Sequence, residues 1–306
     1  MITYLARRAL LSIPTLWGVA TIVFFMARLL PGDPARVIAG VLASPQDVER
    51  IRQQMGLDQP LWIQYVDFMG SLLHLNLGIS AHTNAPVVEE IGSRLPYTIE
   101  LAVVALLIAV VAGVVAGAIA ALRRGTPLDL VISALSVFGV SMPVYWLGLM
   151  LIIVFAIELH LFPAAGADET TSIVMPAITL ALFSVGLIAR MTRSSMLEVL
   201  GQDYIRTAYA KGASVRQVVF QHALRNALLP VLTVVGLQFG ALLGGAVVTE
   251  TVFAWPGVGR LLVDSIFFRD YPVVQGLVLM FGTTFIVLNL VVDVLYAYVD
   301  PRIRYN

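Results

Sequence analysis

No cysteine occurs among the 306 residues, which removes a disulfide framework, thiolate chemistry and a cysteine-ligated zinc site. Lysine is almost missing as well: Lys211 stands alone. A Walker-type phosphate loop needs Gly-Lys-Ser/Thr, and none is present, so ATP is not bound here by a P-loop. His74, His82, His160 and His222 are scattered, no His-Glu-x-x-His occurs, and no metal ligands are assigned. No Gly-x-Ser-x-Gly elbow appears either. Charge is the largest deficit. Charged residues make up 12% and apolar ones 59%, where a soluble domain carries about 25% charge. The composition is that of an integral membrane protein, and a net charge of zero gives no reason for a nucleic-acid partner.

Six charge-free windows, 9–27, 101–122, 130–157, 170–189, 226–249 and 271–292, are long enough to span, since a helix needs roughly 20 apolar residues to cross the hydrocarbon core. The expected fold is all-α with six transmembrane helices. The third window is long enough to tilt or to begin before the membrane. The fourth is the weakest, because Pro176 sits near its start. The first follows Arg7 and Arg8, lacks a cleavage-type sequence and reads as a retained span. With the N-terminus inside, Arg7, Arg8, Arg123, Arg124, Arg190, Arg193, Arg206, Lys211, Arg216, Arg225, Arg302 and Arg304 all fall on the cytoplasmic side. That asymmetry follows the positive-inside rule and puts both termini in the cytoplasm.

The chain divides into an N-terminal transmembrane helix (1–30), an external loop with short amphipathic helices (31–96) and a five-helix core (97–306). In the loop, Ser44 caps a helix that begins at Pro45, has Asp47 at its third position and ends at Gly56. A second runs from about 60 to 73, with Trp62, Tyr65, Met69 and Leu72 on one face, and reads as a helix that rests on the membrane interface or caps the bundle rather than one that contacts a ligand. A third is expected near 86–91. In the spans, Ala105, Ala109, Gly113, Gly117 and Ala121 recur every fourth residue, as do Gly236, Gly240 and Gly244. Such stripes let helix backbones approach closely. The second stripe reads either as packing alone or as a subunit interface or pore wall. Ser133, Ser136, Ser141, Thr179, Ser184, Gln238, Thr283, Thr284 and Asn289 either wet a pathway or bond to neighbouring helices. Asp293, near the inner end of the last span, is the acidic residue well inside an apolar run, and its role is open.

One polar stretch, 203–230, interrupts the apolar runs. Ile205, Ala208 and Tyr209 have the spacing of one helical face, and Lys211-Gly212 reads as a last turn followed by a C-cap. Ser214-x-x-Gln217 is a capping box, with Ala213 and Val218 placed as a weak staple. Val215, Val218, Val219 and His222 continue a stripe. The result is a short, rigid, mostly basic helical hairpin on the cytoplasmic side, within the loop 190–229.

Thr207-Ala-Tyr-Ala-Lys-Gly212, followed by Leu229-Pro230, resembles the EAA loop of binding-protein-dependent ABC importer permeases. Ala208, Gly212 and Pro230 match; Thr207 replaces the family Glu, and Tyr209 the second Ala. Further pieces in the same order resemble the peptide/nickel branch over nearly the whole length. They are Leu30-Pro-Gly-Asp-Pro34, Met55-Gly-Leu-Asp-Gln-Pro-Leu61, Ser141-Met-Pro-Val-Tyr-Trp-Leu-Gly148, Leu161-Phe-Pro-Ala-Ala-Gly166, Ala189-Arg-Met-Thr-Arg-Ser-Ser195, Glu250-Thr-Val-Phe-Ala-Trp-Pro-Gly-Val-Gly-Arg-Leu-Leu262, Arg269-Asp-Tyr-Pro-Val-Val-Gln-Gly276 and Asp300-Pro-Arg-Ile-Arg-Tyr305.

The resemblance implies a type I ABC importer permease fold in a heteromeric complex. The partners would be a second homologous permease, two cytoplasmic ABC ATPases and an extracytoplasmic solute-binding protein, within membrane lipid of the bacterial inner membrane. ATP and Mg would be bound by the ATPases, and no cofactor by this chain, which is not itself an enzyme. The substrate would be a small peptide (dipeptide, oligopeptide or glutathione), with nickel the alternative inside the family. The coupling segment would be Thr207, Ala208, Tyr209, Ala210, Lys211, Gly212, Ala213 and Ser214, where a Cβ at Gly212 would obstruct the partner. Ser141, Met142, Tyr145, Gln238 and Asn289 would line the pathway. Trp255, Pro256, Gly257 and Arg260 would dock the binding protein, unless that turn re-enters the interface with Trp255 as an anchor. Two readings outside the family compete. An ion-coupled secondary transporter acting alone predicts inverted repeats, broken helices at the midplane and buried charges. A membrane hydrolase needs a pair of catalytic groups at one depth.

Overall fold

The computed structural model describes residues 2–29, 34–39, 43–54 and 56–299, with the side chains at 2–9, 292–299 and a few single positions in helices outside that description. Residues 30–33, Met55 and the 300–305 motif therefore lie outside it, as do the side chains of Asp293, Arg7 and Arg8. Among the described residues the chain is helical, and the one β-type contact is an isolated bridge between Ile79 and Pro86. Two compact units form: Met1–Tyr97 with Pro256–Leu290, and Thr98–Trp255 with Val291–Asn306.

The first unit contains α1 (Ile2–Leu29), α2 (Pro34–Ala39), α3 (Pro45–Gln54), α4 (Leu61–Leu73) and the start of α5 (Val87–Leu122). Ser44 caps α3 as its sequence predicts: the Asp47 N–H donates to Ser44 Oγ at 3.2 Å and the hydroxyl donates back to Asp47 Oδ2 at 2.7 Å. That hydroxyl, with Arg50 nearby, holds the Asp47 carboxyl below its ordinary range. Gly56, at φ +64°, ends the turn in the left-handed region that glycine enters freely. α4 is clamped to α1 by polar contacts: the Tyr65 and Thr21 hydroxyls lie 2.8 Å apart, and Arg28 Nε donates to Gln64 Oε1 at 3.0 Å. On the expected face, Tyr65, Met69 and Leu72 are half-buried and Trp62 is 69% exposed. The expected separate helix at 86–91 does not exist. It is the first turns of α5, which runs through Pro96 without ending.

The second unit carries the rest of α5, α6 (Pro127–Ser141), α7 (Val144–Leu151) with its π-helical continuation Ile152–Glu158, and a 3₁₀ turn at Thr170–Ile173. It continues with α8 (Val174–Leu200), α9 (Asp203–Ala210), α10 (Val215–Gln217), a π turn at Val218–Ala223 and α11 (Leu224–Val252). The first unit is completed by α12 (Val258–Phe267) and most of α13 (Tyr271–Val299).

Among the described residues, four helices are long and apolar enough to cross a membrane, and five spans result if α6 and α7 count as one. α1 presents a shorter described apolar stretch, Leu10–Met26. α8 is the central helix: 61% of its apolar window is buried, against 22–28% for the other three. Pro176, which made this the weakest window in sequence, sits in its first turn, where the missing N–H has no intrahelical partner to lose.

The helices meet α8 at small residues. All five positions of the 105–121 stripe are buried. A Cβ at Gly117 would lie 2.4 Å from the Ala189 carbonyl oxygen, and one at Gly113 2.7 Å from the Ile188 side chain, so α5 and α8 run parallel in near-backbone contact. Across α6, Gly186 abuts the Ser136 carbonyl and Gly139 abuts Leu182. The paired numbers run in opposite directions, so α6 is antiparallel to α8. Gln238 against Ser184 and Gly245 against Leu180 make α11 antiparallel to α8 as well. In the 236–244 stripe, Gly236 and Gly240 are half-exposed and Gly244 is open.

The third window is not one tilted helix. It breaks after Ser141, and the two halves meet at 106°. Pro143 has no N–H to donate and disfavours helical geometry at Met142, which sits at φ −75°, ψ 134°.

Gly186→Val places a branched side chain where a single Cβ already lies 2.4 Å from the Ser136 oxygen. Overpacking of this kind costs about 1–3 kcal/mol or more. The expected result is a lower aggregation temperature in detergent than for Gly244→Val, where a Cβ meets nothing within 4 Å.

Candidate functional site

α9 and the turn after it form a double-capped hairpin. Gly212 adopts φ +86°. Its N–H donates to the Tyr209 carbonyl at 2.9 Å and the Ala213 N–H donates to the Ala208 carbonyl at 3.1 Å. These two bonds are the Schellman pair that closes a helix at a left-handed glycine. Two residues on, Ser214 Oγ accepts the Gln217 N–H at 3.3 Å while Gln217 Oε1 accepts the Ser214 N–H at 3.0 Å, the reciprocal capping box. The chain thus passes from one helix to the next within four residues, with a cap on each side of the turn.

Burial decides which face of the hairpin is offered outward. Ile205, 2% exposed, packs with Ala121, Met196, Val218, Val219, Ala223 and Ala227, and Ala208 and Ala213 complete that cluster. Thr207, Tyr209, Ala210, Lys211, Gly212 and Ser214 are exposed. Tyr209 therefore does not share the buried face of Ile205 and Ala208. The expected stripe through Val215 and His222 is shifted too. Val215, at the start of α10, is 64% exposed, and beyond it a π turn at 218–223 widens the helical repeat, with Val218, Val219, Ala223 and Ala227 facing inward. A Cβ at Gly212 would meet nothing within 4 Å, so inside the chain its glycine is required by backbone conformation and not by crowding. Lys211 is the C-cap residue, with its side chain exposed.

The other expected site residues do not gather at one place. Ser141, Met142 and Tyr145 sit together at the α6–α7 break, with Ser141 exposed, Met142 half-buried and Tyr145 57% exposed. Gln238 is buried and donates to Ser184 Oγ at 2.8 Å, which makes it a link between α11 and α8. Asn289, in the other unit, donates to the Phe285 carbonyl on its own helix. Thr179, Ser133 and Ser136 are likewise bonded, to the Met175 carbonyl, to Asp129 and to the Ile132 carbonyl. Trp255 is 3% exposed, in the core cluster with Leu101, Ala177 and Leu242, so its indole is not a surface anchor. Pro256 is half-buried and Gly257 buried. Arg260 is partly exposed, 3.6 Å from Asp264.

Three buried carboxylates went unnoticed in sequence. Glu250 is fully buried and accepts the Thr98 hydroxyl at 2.6 Å. Asp270, 2% exposed, accepts the Ser80 hydroxyl at 2.5 Å and the His82 N–H at 3.1 Å. Asp129, in the first turn of α6, is bound to Arg193 of α8. Each partner lies far away in sequence, at separations of 152, 190 and 64 residues. The local signal is only an acid near a helix end.

Comparison with known proteins accounts for both ends of the chain. Residues 113–305 match the binding-protein-dependent transport system inner membrane component family, and residues 1–102 match the N-terminal region of such membrane components. The glutathione transport system permease protein GsiC of Escherichia coli O6:H1 (strain CFT073) is 48% identical over 100% of both chains. The dipeptide transport system permease protein DppB of Alkalihalophilus pseudofirmus is 44% identical, again over 100% of each. Among solved structures, a chain of the inward-facing MetNI methionine ABC transporter superposes with TM-score 0.58 at 20% identity, covering 69% of this chain and 96% of its own. A chain of an amino acid ABC transporter superposes at 0.56 and 15% identity, covering 69% and 94%. The chain therefore belongs to the binding-protein-dependent transport system inner membrane components: it is a multi-pass ABC importer permease of the bacterial inner membrane and not itself an enzyme.

Proposed function

We propose that this permease forms half of a translocation pathway for small peptides, glutathione or dipeptides among them, paired with a second homologous permease and driven by two cytoplasmic ATPases. The observation that carries the reading is the hairpin at 203–217: a helix closed by a left-handed glycine and followed by a reciprocally capped second helix, with Thr207, Tyr209, Ala210, Lys211 and Gly212 turned outward. A stiff exposed helix transmits displacement, and the chain has no P-loop of its own. The substrate class is supported by end-to-end identity with permeases named for glutathione and dipeptide.

In this reading α1 and the α6–α7 pair are the remaining spans of a six-span topology with both termini cytoplasmic. α9 sits in a cleft of an ATPase. The break at Ser141–Tyr145 lines the pathway, because unpaired backbone at membrane depth is tolerated where protein buries it or water reaches it, and these residues are largely exposed. Gln238 acts there by holding α11 to α8, and the Asn289 amide is already taken up by a carbonyl of its own helix. The turn 255–260, external in this topology, meets the solute-binding protein through Arg260, with Trp255, Pro256 and Gly257 fixing its shape.

Purification from the native membrane is expected to bring down a P-loop ATPase, and uptake is expected to stop on ATP depletion with ion gradients intact. Uptake that persists under ATP depletion would favour the ion-coupled alternative. At Gly212, an L-residue in the left-handed region loses roughly 1–2 kcal/mol, and Asn loses least. Gly212→Asn and Gly212→Asp are both expected to insert normally and to lose ATPase association and uptake. Full uptake by the Asn variant would remove this cap from the contact.

A further inference from the structure

α6 and α8 come closest where Gly186 meets Ser136 and Gly139 meets Leu182, van der Waals contacts that set distance but make no directed bond against sliding. At one end the sliding is blocked. Arg193 presents two edges of its guanidinium to Asp129, with Nε 2.6 Å from Oδ1 and Nη2 2.8 Å from Oδ2. The same carboxylate accepts the Gly125 N–H at 3.0 Å and the Ser133 hydroxyl at 3.4 Å, so it is fixed to its own helix and to the turn before it. The side chains are 8% and 32% exposed for Asp129 and Arg193. By contrast, Arg50–Asp47 and Arg206–Asp203 are exposed pairs three residues apart on single helices, of a kind that contributes little. A planar, two-bonded fork fixes both distance and direction.

Its position along the helices gives the pair a task. α8 continues through Gly201 and Gln202 into α9, and Ile205 of α9 packs against Met196 of α8. Arg193 lies one turn before Met196. From Asp129, α6 runs without interruption to the break after Ser141. The antiparallel contacts at Ser136–Gly186 and Gly139–Leu182 lie between these two ends. A slip of α6 by one turn would separate the fork.

We infer that the Asp129–Arg193 pair is a transmission link, which obliges α6 to follow α8 so that displacement received at α9 reaches the α6–α7 break. This rests on the importer reading above. Both residues act through the helices they join, so they are positioning residues and touch neither substrate nor ATP.

The test uses the whole complex in proteoliposomes, with the wild type compared with Asp129→Asn, Arg193→Lys and the exchange Asp129→Arg with Arg193→Asp. ATPase retained in the complex, ATP hydrolysed and substrate taken up are measured together. A pair that merely stabilised the fold would change the amount of complex and leave uptake per ATP unaltered. The expected result for Asp129→Asn is retained ATPase and continuing hydrolysis, with uptake per ATP reduced about tenfold, within the ordinary range of coupling between sites. Arg193→Lys keeps the charge, loses the fork and falls between, and the exchange recovers part of the ratio. The inference is overturned if Asp129→Asn assembles and keeps its ratio within about twofold, below that range. It is equally overturned if Asp129→Asn and the exchange both lose the complex, since the pair then serves assembly alone. A wild-type complex with no ATP-dependent uptake would sink the importer reading itself, before any variant is compared.

Discussion

Backbone proximity around α8 is the constraint on which the second unit depends. In lipid, apolar side chains gain nothing by leaving hydrocarbon for one another, so helices associate through close packing and a few polar contacts. α8 supplies the surface for that packing, to α5, α6 and α11 among others. Gly113 and Gly117 bring α5 against it, Gly186 brings in α6, and Ser184 takes the Gln238 amide of α11. With these fixed, the ends of α8 are fixed, and so is the starting point of α9.

Stiffness is unevenly distributed along the second unit. The hairpin after α8 is closed by a left-handed glycine on one side and a reciprocal cap on the other. The α6–α7 region is the opposite case: Pro143 interrupts the backbone ladder, and the halves diverge by 106°. On the proposed reading the first is the input and the second the output, and the same apolar composition yields both the stiff and the jointed segment through single residues.

Local chemistry was legible in the sequence, and long-range pairing was not. Gly212 and Ser214-x-x-Gln217 announce their caps because the interacting atoms lie within five residues. The 105–121 stripe reads correctly because a helix repeats its face every fourth position, whatever packs against it. The break at Met142-Pro143 was hidden by hydropathy, which averages over the one residue that matters. A stripe drawn with the α repeat gave no sign of the π turn at 218–223. Trp255 looked like a surface anchor because its burial depends on Leu101 and Ala177, far away in the chain. The coupling and pathway residues rested on family likeness, and Asp129–Arg193 had no local trace, since an arginine near a cytoplasmic end is ordinary under the positive-inside rule.

The exposed ammonium of Lys211, at the end of α9, makes the chain a natural single-site reporter. Among side chains, an amine-directed label has only this target, and with no cysteine present a thiol introduced anywhere else is equally unique. A donor dye on the lysine and an acceptor on one new cysteine would follow the tip of the helix through a transport cycle in an otherwise unaltered sequence.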